Sequence, residues 1–281
     1  MPTVSIIIPC YNDGRYLPEA VAAAQAQTWA DKEIIIVDDH STDDMTRQVL
    51  RRYADEPGVT VLATPSGRKG PAAARNAGIE AARGTYILAL DADDIIDPTY
   101  AEKTVTCMEC NPKLGICYSR ARFCGFKHSS WNLLPYTWEM MLRGEVIFFV
   151  SALFRKADWE IVGGYDESLV LGYEDYAFWL RLLALGRDVF RLDEELFYYR
   201  VKSNSRSAIL VRGKDAEAFD AVYRSCEDIF KKNTKVFIDG VRQLQYERST
   251  IHCLVSWKLF SAVARIEWAL RQCIKKIVGR A

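Results

Sequence analysis

Short apolar runs alternating with polar stretches of helical composition fill the first hundred residues of the chain. Val4 to Pro9, Glu33 to Asp38, Val59 to Ala63 and Tyr86 to Leu90 are near-continuous runs of the kind buried on both faces of a parallel sheet. Between them, Leu17 to Thr28 and Ala72 to Ala82 read as helices. Ser41-Thr42-Asp43-Asp44 caps another, and Pro71 stands at a first helical position. Strand and helix in alternation predict an α/β fold of βαβ units.

From Leu114 the pattern becomes mixed. A strand is expected over Leu114 to Cys124, then a loop with Trp131 and Tyr136 running to Trp138, and a short helix. A strand over Phe148 to Phe154, a helix from Glu174 to Leu185 ended by Gly186, and closing strands Asp188 to Leu192 and Leu196 to Val201 follow. The aromatic loop over 125–147 suits ligand binding or a packed lid equally. Beyond Ser207 strand signals stop, so residues 1–207 are expected to form the α/β domain and 208–281 a helical C-terminal extension. Leu259, Val263, Ile266, Leu270, Cys273 and Ile277 recur at steps of four and three, a seam for an apolar partner. Over 255–281 six basic residues face Glu267 alone, which fits an anionic membrane surface, a homodimer, or packing on the chain's own domain.

Lys plus Arg and Asp plus Glu balance at 37 each, which argues against a nucleic-acid-coating protein. No signal-peptide pattern opens the chain, and the apolar run Val146 to Phe154 ends at Arg155, far short of a bilayer span. A cytoplasmic protein, at most peripheral on the membrane, is the expectation. Eight cysteines then read as reduced thiols. Cys107 and Cys110 with Cys117 and Cys124 offer four thiolates for zinc, but the second pair is too widely spaced, and buried thiols fit better.

Acidic residues end three apolar stretches: Asp38-Asp39, Asp91-Ala92-Asp93-Asp94 and Glu174-Asp175. Carboxylates at strand ends and helix starts meet at the carboxyl edge of an α/β sheet, where metal-bound phosphates and a nucleophile can be held together. Asp91 and Asp93, two apart in extended backbone, face the same way. Tyr11, after a strand ending at Pro9-Cys10, presents a ring on which a base can stack. Asp38 reads equally as a loop-orienting residue and as a direct contact.

Six stretches in order, Ser5 to Asn12, Val37 to Asp43, Gly70 to Gly78, Leu90 to Asp94, Gly163 to Asp166 and Glu174-Asp175, resemble the motif set of the family 2 glycosyltransferases. The resemblance runs from about residue 3 to residue 207. It implies a Rossmann-like GT-A fold and an inverting, metal-dependent transferase moving one sugar from a nucleotide-sugar donor, UDP-linked by expectation, to a saccharide or lipid-linked acceptor. Assembly of surface polysaccharide or lipopolysaccharide is the implied setting. By the same resemblance, Pro9 and Tyr11 lie against the base and Asp39 accepts from its ring N–H. Arg75 reaches the nucleotide, Asp91 the nucleotide or a metal-supporting position, and Asp93 ligates Mn2+ or Mg2+, with Asp94 left open. Asp175 is the general base and Glu174 shapes the acceptor site. Lys202 stands where related bacterial enzymes often carry histidine; an ammonium cannot ligate a cation but can neutralise phosphate. The Gln-x-x-Arg-Trp element of processive synthases is absent, which favours transfer of a single sugar. A noncatalytic scaffold of the same shape is the rival; nucleotidyl transfer would need a Gly-rich loop after the first strand, and none is there.

Overall fold

The computed structural model describes residues 3–144, 148–202 and 215–236, with 238, 239 and 242 besides. In chain order the elements are β1 (Val4–Cys10), α1 (Leu17–Gln25), β2 (Lys32–Asp38), α2 (Asp44–Ala54), β3 (Val59–Ala63), α3 (Pro71–Ala81) and β4 (Tyr86–Ala89). Then come β5 (Ile95–Ile96), α4 (Tyr100–Cys110), β6 (Leu114–Gly125), β7 (Ser129–Trp131), α5 (Trp138–Leu142), β8 (Leu153–Arg155) and α6 (Lys156–Val162). Helix α7 (Glu174–Leu183), strand β9 (Asp188–Val201) and helices α8 (Asp215–Ser225) and α9 (Glu227–Lys232) follow. The strands form one sheet in the order β3-β2-β1-β4-β8-β6-β9-β5, with β7 beside β6. β3, β2, β1 and β4 are mutually parallel, while β8 runs antiparallel between β4 and β6.

The parallel half follows from its sequence. Ile6, Ile7, Ile8, Ile36, Val37, Ile87 and Leu88 are fully buried, as strands covered on both faces must be. Helix α3 sits unusually close to β1: a Cβ added at Gly78 would lie 2.4 Å from Ile7 Cγ2. The small residues around Gly78 therefore serve close approach, and the helix carries Arg75 and Asn76 down against the sheet edge. Helix α2 starts as its sequence dictates, with Asp43 accepting from Thr46 N at 2.8 Å.

The second half departs from expectation in particular places. Of the run Phe148 to Phe154 only Leu153 and Phe154 are strand, in β8. Phe148 and Phe149 are core residues on non-strand backbone, against Trp179 and stacked on Phe197 at 3.9 Å. Burial alone cannot distinguish these conformations in a short apolar run. The two expected closing strands are one strand, β9, which pairs in parallel with β6 through register irregularities near Ser119 and Arg120. Helix α1 stops at Gln25, short of Thr28, because Gln27 and Thr28 turn to bond Asp97 O and Pro98 O. The aromatic loop contains the short strand β7, and α6, ended by Gly163 at φ 76°, carried no signal that the pattern reading caught.

The chain divides into two compact units, Met1–Lys232 and Asn233–Ala281. Residues 203–214, where the expected domain boundary falls, and the seam from Leu259 to Ile277 lie outside the described residues. Helix α8 packs on α7 within the first unit through buried Ala218 and Val222 and a Tyr176–Phe219 ring contact. The described cysteines are free thiols, with Cys10, Cys117 and Cys226 buried as packing residues. Among the described residues no helix is long and apolar enough to cross a membrane.

Candidate active site

The carboxyl ends of β1, β2 and β4 open onto one edge of the sheet, and the motifs lie along it. The non-glycine residues with positive φ among the described ones, Asn12 at 55°, His40 at 61° and Tyr173 at 62°, all belong to this rim. Strain of this kind persists only where surrounding bonds hold it. Asn12 Oδ1 accepts from Thr42 N at 2.7 Å and Asp43 N at 3.2 Å, tying the loop after β1 to the loop after β2. Asp38 Oδ1 accepts from Ser41 N at 2.9 Å, so Asp38 orients this loop.

Asp39 is 5% exposed, and its backbone N–H donates to Cys10 O at 2.8 Å, which sets it beside Tyr11. Its Oδ2 accepts from Gly70 N at 2.8 Å, whereas Oδ1 is buried without a partner. A buried carboxylate oxygen left unpaired is an acceptor held for a donor absent from the chain itself. Tyr11, 46% exposed, offers its ring to solvent at the same place. Pro9 pairs in register with Val37, one step behind.

Arg75 is buried between two motifs. Its Nη2 meets Asp91 Oδ1 at 2.8 Å and its Nη1 meets Glu174 Oε1 at 3.0 Å, with the guanidinium over the Tyr165 ring. Burial opposes its charge, but Asp91 and Glu174 outweigh that and hold the group above the usual arginine value. Arg75 and Glu174, read from sequence as substrate contacts, thus lie inward and join the end of β4 to the start of α7.

Asp91, Asp93 and Asp94 each bring a carboxylate oxygen within 4.8 Å of the others. Burial and then Asp91 push Asp93 up, against the pull of Lys202. Asp94, almost fully buried, is raised further by burial and by Asp93, although its Oδ1 accepts from Arg200 N at 2.8 Å. Lys202 Nζ lies 2.8 Å from Asp93 Oδ2 and 2.8 Å from Asp13 Oδ1, over the Tyr16 ring. Burial works against its ammonium, yet these bonds keep it charged above the usual lysine value. Arg200 donates from Nε to Asp93 O at 2.7 Å and pairs with Glu19. A crowded set of hard oxygen donors whose charge is under-compensated fits a small divalent cation.

Asp175 opens α7, whose N-cap is the left-handed Tyr173. Its Oδ1 accepts from Tyr176 N at 2.8 Å. Burial, then the neighbouring Glu174, push its carboxyl up to about 6 while Arg75 pulls the other way. A carboxylate so poised is ionised at neutral pH and basic enough to take a proton.

Two residues of this region escaped the sequence reading. Asp13 emerges only because the chain brings Lys202 to it. Asn76 donates to Tyr165 O at 2.9 Å and Glu167 Oε1 at 2.8 Å, and accepts from Tyr165 N and Trp159 Nε1. It fixes the segment leading to α7. A polar Arg75-Asn76 pair inside an alanine-rich helix was the available signal.

Fold and rim together define an α/β protein that gathers acidic, basic and aromatic side chains at the carboxyl edge of its sheet. Residues 5–160 match the family model described as glycosyl transferase family 2, and the chain belongs to that family. Chondroitin synthase of Escherichia coli is 30% identical over 215 residues, 74% of this chain but 30% of that protein, so the chain spans less than a third of that relative. TuaG of Bacillus subtilis, a glycosyltransferase assigned to teichuronic acid biosynthesis, is 29% identical over 263 residues, 88% of this chain and 98% of its own length. Among solved structures, S. aureus TarS 1-349 in complex with UDP matches with a TM-score of 0.65 at 19% identity, over 86% of this chain and 71% of that one. The fold is the GT-A fold.

Proposed function

We propose that the chain is an inverting glycosyltransferase that moves one sugar from a UDP-linked donor to a hydroxyl of a saccharide or lipid-linked acceptor in surface-polysaccharide assembly. The observation that carries this is the buried chain Asp91–Arg75–Glu174, which couples the carboxylate cluster suited to a diphosphate to the helix end bearing Asp175. The names of the relatives, a chondroitin synthase and a teichuronic acid glycosyltransferase, support a polysaccharide setting, and the UDP held by TarS supports the donor.

Tyr11 stacks on the base, and the unpaired Asp39 Oδ1 accepts its imide N–H. Asp175 takes the proton of the acceptor hydroxyl as that oxygen attacks the anomeric carbon. The bond from this carbon to the diphosphate oxygen breaks, and its electron pair leaves with the nucleoside diphosphate, inverting the centre. Lys202 and Arg200 supply positive charge beside the departing phosphates. Asp93, with Asp91 and Asp94 beside it, would hold Mn2+ or Mg2+, which as a Lewis acid offsets charge on the leaving group. Glu174 fixes Arg75 and sets the basicity of its neighbour. The basic seam over 255–281 suits an anionic membrane face, a homodimer or packing on the chain's own domain; liposome flotation and mass measurement against a truncation before Val255 separate these.

The test is a screen of nucleotide sugars for hydrolysis with Mn2+ or Mg2+, alongside calorimetry with UDP. Release of UDP by the wild type and not by Asp175→Asn is expected. A chain that neither binds UDP nor hydrolyses any donor would be the noncatalytic scaffold instead.

A further inference from the structure

A cavity of about 250 Å³ is lined by Tyr118, Pro135, Tyr136, Val189 and Arg191. Strand register pairs Tyr118 of β6 with Arg191 of β9. Leu153 of β8 pairs with both Leu88 of β4 and Cys117 of β6, so the cavity is level with the carboxyl end of β4, two strands or about 10 Å across the sheet. The cavity is linked to α7 by packing: the Tyr118 ring meets Phe148 at 5.2 Å, and Phe148 meets Trp179 at 5.2 Å. Trp179 stands one turn along the helix that carries Asp175, so the cavity wall and the candidate base are held by one packed aromatic cluster.

The lining is chemically unfinished. Tyr118 is fully buried and its Oη has no partner. Arg191 donates from Nη1 to Leu133 O at 3.0 Å and forms no ion pair among the described residues. Four of its five N–H donors have no acceptor among the described residues, beside a phenol that burial pushes up to about 12, against the pull of Arg191, and so keeps protonated. Tyr136 and Pro135 add apolar surface. The volume lies below the roughly 300–1,000 Å³ of whole-ligand pockets, a size for one sugar residue rather than a nucleotide.

We propose that this cavity is an acceptor subsite that takes an acid-bearing sugar, its carboxylate or phosphate on Arg191 and Tyr118 and its ring against Tyr136. The inference rests on the transferase reading and names its acceptor as an anionic saccharide. A guanidinium fork suits either acid, and the two are separated by the probes.

Saturation-transfer NMR with glucuronate, glucose 6-phosphate and glucose, under saturating UDP so that the donor site is filled, tests it. At least one acid sugar should bind about tenfold or more tightly than glucose, a difference of about 1.4 kcal/mol. The acid that binds identifies the group. Arg191→Gln should abolish the preference. Tyr118→Phe, which removes only an unpartnered oxygen, should weaken acid binding severalfold without lowering the melting temperature, and UDP affinity should be unchanged in both. Equal binding of glucose, or a preference that survives in Arg191→Gln, overturns the subsite alone. Failure of the wild type to bind UDP overturns the transferase reading and the subsite with it.

Discussion

Replacing the candidate base with its amide should make this protein more stable and far less active. The Asp175 carboxyl is pushed from an ordinary 3.8 up to about 6 by burial and by Glu174. A rise of about two units at 1.36 kcal/mol each means that the ionised carboxylate costs the fold up to about 3 kcal/mol. The sign follows from proton binding: the folded state holds this proton more tightly than the unfolded one. The cost is therefore absent below about 3.8, grows between that and about 6, and is fully present above it. Asn keeps an oxygen for Tyr176 N and removes the charge. Since Asp175 is partly exposed, we expect about 1–3 kcal/mol at pH 7.5, or several degrees in Tm at about 2–4 °C per kcal/mol, with no difference near pH 3.5. Transfer should fall at least about 10²-fold with UDP affinity unchanged. In the wild type, kcat should drop about tenfold per pH unit below about 6, and Glu174→Gln, by removing a negative neighbour, should move that limb to lower pH. Calorimetric melting at both pH values and a pH–rate profile decide it. An amide variant that transfers normally, or that melts no higher than wild type at pH 7.5, refutes the reasoning.

Other variants probe the rest of the rim. Asp93→Ala should abolish any strengthening of UDP binding by Mn2+ in calorimetry; if the ion leaves wild-type binding unchanged, Lys202 and Arg200 are the phosphate partners instead. Asp39→Asn keeps the shape but weakens the acceptor aimed at the base, so UDP affinity should fall about tenfold while ADP affinity stays put. Asn76→Ala removes the bonds to Tyr165, Glu167 and Trp159, each worth about 1 kcal/mol, and should lower both Tm and kcat while the KM for donor changes little.

The parallel half of the sheet was legible because continuous apolar runs have no other home in an α/β fold, and because Asp43 and Pro71 start helices by rules that need no tertiary context. Tyr11, Asp39, Asp91 and Asp93 were legible for the same reason: each follows a strand, and parallel strands end at one edge. Strand β9 was not, since Asp193-Glu194-Glu195 breaks its apolar pattern; those charges are held by Arg120 and Lys103 from neighbouring elements. The inward role of Arg75 was equally hidden. A guanidinium suits phosphate as well as carboxylate, and only the approach of α3 to β4 and α7 decides between them. Asp13 could not be found at all from the chain, because its partner Lys202 stands 189 residues away.

The charges gathered at the rim bear on how donor and ion must bind. Asp13, Asp91, Asp93, Asp94, Glu174 and Asp175 meet the cations Arg75, Lys202 and Arg200. Arg75 is committed to Asp91 and Glu174, and Lys202 is shared between Asp13 and Asp93. A diphosphate arriving here adds negative charge to a region whose carboxylates are already under-compensated. Lysine is a point charge on a flexible stem, so it can turn from Asp13 and Asp93 to a phosphate oxygen. That turn leaves two carboxylates without their cation, in a site where unpaired charge is expensive. Donor binding should therefore raise the affinity for a divalent cation, and linkage requires the ion to raise donor affinity by the same factor. Calorimetric titration of Mn2+ with and without UDP, and of UDP with and without Mn2+, measures both sides of the cycle. Lys202→Met should reduce the shared factor by removing the cation that is exchanged. An unaltered factor in that variant would show that Lys202 stays on Asp13 and Asp93 throughout, as a structural tie rather than a phosphate contact.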